Sequence, residues 1–140
     1  MKLKLLQIIF LFFIFTNNLL ANTKYFQQGL DLFKNKKYNE AKFKFEQDII
    51  FNPKSEMSYL YLSKIFKNLN RIDLEEQNLN TVILLNPKNE EAIYNLAKLK
   101  LEASDYKKSI ELNEKLNLLC KKYCNQSRRL KTEIENLSKK

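Results

Sequence analysis

Apolar and small residues along this chain recur at helical spacing. In Asn22–Phe33, Tyr25, Gly29 and Leu32 fall at i, i+4 and i+7, which is one face of a helix. A polar break at Asn35–Lys37 follows, then a second helical run from about Tyr38 to Phe51, closed by Asn52-Pro53. Proline lacks the backbone N–H that a helix interior needs, so it belongs in the joint or in the first turn of the next helix. The pattern therefore predicts a helix–turn–helix unit ending at Pro53.

The unit is repeated. The joint IFNPKS, Ile50–Ser55, returns as LLNPKN, Leu84–Asn89, with Pro53 and Pro87 34 residues apart. The same shift aligns Gly29, Ser63 and Ala97, all small, and also Tyr38, Ile72 and Tyr106, then Phe51, Leu85 and Leu119. The small residue lets a neighbouring helix approach closely. A third joint begins at Leu118-Leu119 and reads Cys120-Lys121 where Asn-Pro stood before. Beyond it, Leu130, Ile134 and Leu137 form a thin apolar stripe on a polar helix over about 126–138. A 34-residue period of this kind signals a stack of units that bury their apolar faces on one another and need a polar cap.

Gly29, Tyr38, Ala41, Phe45 and Pro53 in the first unit, and the run Glu90–Leu119 in the third, resemble the tetratricopeptide repeat family. The second unit departs at Ser63 and Glu75. Gln28, Asp48, Lys100 and Asn113 stand where the family carries apolar or aromatic residues. The resemblance implies an all-α helix–turn–helix solenoid of three repeats, about 22–55, 56–89 and 90–123, with a C-terminal capping helix. It also implies a concave face lined by the first helix of each unit: Phe26, Leu30 and Phe33, then Leu60, Lys64 and Lys67, then Tyr94, Lys98 and Leu101. Such a groove, apolar at one end and lysine-bearing beyond, suits an extended or helical peptide with acidic groups. The lysine–asparagine clamp by which some relatives hold a C-terminal carboxylate is not matched.

Composition narrows the chemistry. The 140 residues include no His, one Gly and two Cys. Without His the commonest general base and a leading metal ligand are missing, and two Cys cannot alone make a four-ligand zinc site. The expectation is a binding protein with no catalytic residues, no metal and no cofactor.

The opening MKLKLLQIIFLFFIFTNNLLANT has a basic start at Lys2 and Lys4, an apolar run over Leu5–Phe15 and a small residue at Ala21. This is the layout of a secretory signal peptide over 1–21, with a periplasmic or secreted mature chain. The apolar run is shorter than the roughly 20 residues of a membrane span. If it is uncleaved, it makes an inner-membrane anchor instead. Export permits a disulfide between Cys120 and Cys124, which fixes the turn into the last helix. The net charge of +9 is concentrated at the end, where residues 121–140 hold seven Lys/Arg and two acids. That end is either a solubilising cap or a contact for an acidic partner or an anionic membrane surface. Nucleic acid fits poorly, since no aromatic–basic stacking motif occurs. The reading that results is an exported protein–protein interaction module. The alternatives are a membrane-associated assembly factor and a thiol-dependent enzyme.

Overall fold

The computed structural model describes residues 23–137, so the leader expected over 1–21 lies outside the described residues. Seven helices follow one another: α1 (Lys24–Lys34), α2 (Tyr38–Phe51), α3 (Glu56–Asn68), α4 (Ile72–Leu85), α5 (Glu90–Glu102), α6 (Tyr106–Leu119) and α7 (Cys124–Leu137). They pack as the hairpins α1–α2, α3–α4 and α5–α6, each stacked on the next, with α7 closing the array against α6 and α5. All the described regular structure is helical, as the patterning predicts. None of these helices is long and apolar enough to cross a membrane.

The two helices of a unit are buried differently. The second helices bury one stripe, such as Ala41, Phe45 and Asp48 on α2 or Glu75, Leu79 and Val82 on α4. The first helices are wedged between units and bury more than one side. On α3, Leu62, Ile65 and Phe66 join the core of the first unit, while Leu60 joins the cluster shared by the second unit, the third and the cap.

Each hairpin turn passes through a left-handed residue: Lys36, Asn70 and Ser104, at φ 58°, 54° and 60°. These positions are also 34 apart. The turn closes each time in the same way, with Lys37, Arg71 and Asp105 N–H donating to the carbonyls of Leu32, Phe66 and Lys100. This is the helix ending for which glycine is preferred, yet the single glycine lies elsewhere. Gly29 faces Phe45, and a Cβ built on it would come within 2.8–3.0 Å of three ring atoms.

Three of the polar departures from the apolar pattern, Asp48, Lys100 and Asn113, find a partner in an adjacent unit. Asp48 is buried and accepts hydrogen bonds from Thr23 and Ser58. Lys100 pairs with Glu76 at 2.6 Å, and Ser127 donates to the buried Asn113 at 3.0 Å. At the second joint Glu56 accepts hydrogen bonds from the side-chain amides of Asn86 and Asn89. At the third, Glu90, one period on, accepts the backbone N–H groups of Lys122 and Tyr123 at 2.9 and 2.8 Å. These contacts, with Tyr123 first, hold the Glu90 carboxyl below its usual range.

The cap starts two residues earlier than its apolar stripe predicts, at Cys124. That start lies one 34-residue period after Glu90, as Glu90 does after Glu56. The cap is thus the first half of a fourth unit. At the position of Gly29, Ser63 and Ala97 it carries Lys131, which lines a cleft of about 400 Å³ together with Ile110, Asn113 and Asn117 of α6 and Ile134 of α7.

Candidate functional site

The first helices form one continuous face, recognisable by the contacts that bridge them. Phe33 on α1 meets Tyr61 on α3 edge-on, with ring centroids 5.1 Å apart. Lys64 on α3 bonds Glu91 on α5 at 2.7 Å, and its ammonium lies 4.8 Å from the Tyr61 ring centre. Tyr94 on α5 meets Tyr123, just before α7, at 5.6 Å. Helices α1, α3, α5 and the start of α7 therefore share a surface, and its middle is aromatic.

The nine residues expected to line the groove divide into three sets. Phe26, Leu60 and Leu101 are buried in the core, because a wedged first helix spends those positions on its neighbours. Phe26 is tilted against Phe45, with centroids 5.7 Å apart, and is not available to a ligand. Leu30, Phe33 and Tyr94 are half-buried, and each leaves part of its side chain at the surface. Of the lysines, Lys64 is held by Glu91 at 2.7 Å, whereas Lys98 makes only a loose surface pair with Glu102 at 4.0 Å. Lys67 is exposed and acts on Glu75, whose carboxyl is pushed up by burial, drawn back in part by Lys67 and raised further by Glu102.

Tyr61 was not on that list, although it sits at the centre of the surface. Its ring stacks on Phe45 at 5.2 Å and receives the edges of Phe26 and Phe33. Its signal in the sequence is weak, since the aligned positions are Gln27 and Asn95.

Cys120 ends α6 and Cys124 opens α7, so the pair spans the turn and does not share one helix. Their Cα atoms are 5.2 Å apart and the sulfurs are at bonding distance. No group of three or more His, Cys, Asp or Glu that could hold a metal ion occurs among the described residues.

Neither a protein-family model nor a curated protein matches the sequence. Solved structures do match the fold. The TPR2B domain of yeast Sti1, in a complex with pHsp70, superposes with a TM-score of 0.75 at 13% identity, over 81% of this chain and 95% of that one. The Yersinia enterocolitica type III secretion chaperone SycD, in complex with a peptide of the translocator YopD, gives 0.74 at 14% identity, over 89% and 100%. The Sgt2 TPR domain from Aspergillus fumigatus gives 0.70 at 16%, over 84% and 81%. With three stacked helical hairpins, a 34-residue register and a half-unit cap, the chain has the tetratricopeptide-repeat fold.

Proposed function

We propose that the protein is an exported, non-catalytic module that binds a peptide segment of a partner across the face of α1, α3 and α5. The observation that carries this reading is the strip of half-buried side chains Leu30, Phe33, Tyr61 and Tyr94. It runs across three units while staying open to solvent in part. Apolar surface left accessible between polar neighbours is characteristic of interaction sites. The neighbours in fold support the mode of action, since SycD is seen with a peptide of YopD and the Sti1 domain in a complex with pHsp70. Because Lys64 is paired within the chain, the strip favours apolar or aromatic anchors, with acidic groups of the ligand met by the exposed Lys67 and the loosely paired Lys98. No covalent step is needed.

Export is read from the N-terminal 21 residues. Cleavage after Ala21 leaves Thr23, whose hydroxyl caps α1 and donates to Asp48, within the mature chain. In an oxidising compartment Cys120 and Cys124 form a bond that holds the half-unit cap to the third repeat.

Photoreactive residues placed at Leu30 and Tyr94 test the binding face, since both are surface-reaching and neither anchors the core. In exporting cells both positions should cross-link to the same partner, and a control at Phe43 should not. A partner captured only from Phe43 refutes the reading.

A further inference from the structure

The outer end of the array carries a second pattern, independent of the concave face. Ile50, Leu84 and Leu118 are 73%, 80% and 86% exposed, far more than aliphatic side chains of their size need be. They are spaced by the 34-residue period, so each unit presents one at the same place, in the last turn of its second helix. Single exposed apolar residues are ordinary. Three in register on successive units form a row. In the first unit the row broadens, since Phe43, one helical face up from Ile50, is 57% exposed and Phe51 is 67% exposed.

A lysine stands four residues after each member of the row: Lys54, Lys88 and Lys122, all exposed and again 34 apart. None of the three makes an ion pair among the described residues. The nearby acids are already engaged, Glu56 with Asn86 and Asn89, and Glu90 with the backbone of Lys122 and Tyr123. The joint end of the array thus alternates projecting aliphatic groups with exposed ammonium groups that make no ion pair, Lys122 alone lying in the field of the Glu90 carboxylate. A second copy laid against it would set like charges together. An anionic lipid surface meets both halves, taking shallow apolar insertions while its headgroups attract the lysines.

The geometry points to this edge as a peripheral membrane-binding edge that lays the solenoid against anionic lipid with the hairpin turns pointing away. It goes beyond the peptide-binding reading and does not depend on it, because the residues concerned lie outside the α1, α3, α5 face.

The chain contains no Trp, so full-length protein with Leu84→Trp has one indole to report on the row. With vesicles of phosphatidylcholine and phosphatidylglycerol its emission should shift to the blue and be quenched by lipid brominated on the acyl chain. Phosphatidylcholine alone should give neither effect. Lys34→Trp, at the hairpin-turn end, should stay unshifted under both conditions. Combining Lys54→Gln, Lys88→Gln and Lys122→Gln should raise the lipid needed for the Leu84→Trp shift by roughly fivefold per lysine, and added salt should do the same.

An unshifted Leu84→Trp indole on anionic vesicles overturns the inference, even if the chain sediments with them through another segment. So does an equal shift at Lys34→Trp, or a shift indifferent to removal of the three lysines. A shift produced by soluble polyglutamate and not by vesicles also overturns it, in favour of an acidic protein partner.

Discussion

Replacing Gly29 by alanine sets two opposed effects against each other. In a helix interior, Gly→Ala is worth about 1 kcal/mol in favour of the fold. Here the new methyl would lie 2.8, 2.9 and 3.0 Å from three atoms of the Phe45 ring. That ring is fully buried, stacked on Tyr61 at 5.2 Å and tilted against Phe26 at 5.7 Å. Tyr61 is itself held by Phe33 at 5.1 Å, so the ring cannot yield without moving three others. Overpacking a core of this kind costs typically 1–3 kcal/mol. With the ring held on three sides the steric cost outweighs the propensity gain, and Gly29→Ala is expected to lose up to about 2 kcal/mol, a fall in Tm of up to roughly 10 °C. Thermal unfolding followed by circular dichroism measures it. The position sixteen residues on is Phe45 after Gly29 and Leu79 after Ser63, so larger and smaller partners alternate in register. Phe45→Leu should therefore relieve Gly29→Ala, with the double variant more stable than the two single changes predict by about 1 kcal/mol. If Gly29→Ala melts at or above the parent temperature, the close packing of Phe45 is not what reserves this place for glycine.

Lys36→Gly and Ser104→Gly should each raise stability by up to about 1 kcal/mol, because both residues hold a left-handed conformation that favours glycine. Asn70→Gly should gain less, asparagine being tolerated there, and denaturant midpoints at constant m-value distinguish the three. The pH dependences of Glu75 and Glu90 should have opposite signs. The Glu75 carboxyl is raised by burial, so its contribution to stability is greatest below the usual carboxylate range and is lost as pH rises through the raised value. Glu75→Ala should accordingly stabilise more at pH 7 than at pH 4. The Glu90 carboxyl is lowered, so its contribution is present at neutral pH and lost as pH falls through the lowered value. Glu90→Gln should cost stability at pH 7 and little at pH 3, as melting curves at the two pH values would show. Reduction of the Cys120–Cys124 pair should add two hydrogens to the intact mass of the exported protein and lower its Tm. The loss should stay at or below about 3 kcal/mol, since the loop closed is very short. Two thiols found before reduction would exclude a structural bond.

The architecture was legible because periodicity is a property of the whole chain. The α2 bounds, Tyr38 to Phe51, and the interruptions at Pro53 and Pro87 follow from local pattern alone. The groove was legible only in part. Register places Phe26, Leu60 and Leu101 on the first helix of a unit, but those helices are buried on more than one side, and only packing decides which positions remain at the surface. Asp48, Lys100 and Asn113 read as faults in the apolar pattern because their partners Ser58, Glu76 and Ser127 lie 10, 24 and 14 residues away, in neighbouring units. Glu56 and Glu90 carried no signal either, since each acts on the joint at the far end of its own unit, 30 and 32 residues away. The cap's start was misplaced by two residues because its first turn is polar apart from Cys124, and an apolar stripe cannot mark where such a helix begins.

Lys131 has a consequence for the size of anything this protein can build. Gly29, Ser63 and Ala97 are the places where a second helix comes close to the first, and the fourth such place is occupied by a long, charged side chain. A helix arriving to complete the last hairpin would have to cover that ammonium together with Arg128, Glu114 and Glu135 of the same cleft, and burying charged groups is costly. The open side of the cap is therefore guarded chemically. Docking a helix of another molecule there is disfavoured, and with it end-to-end association through the cap. Anyone wishing to extend the array with a further repeat would have to begin by removing that lysine.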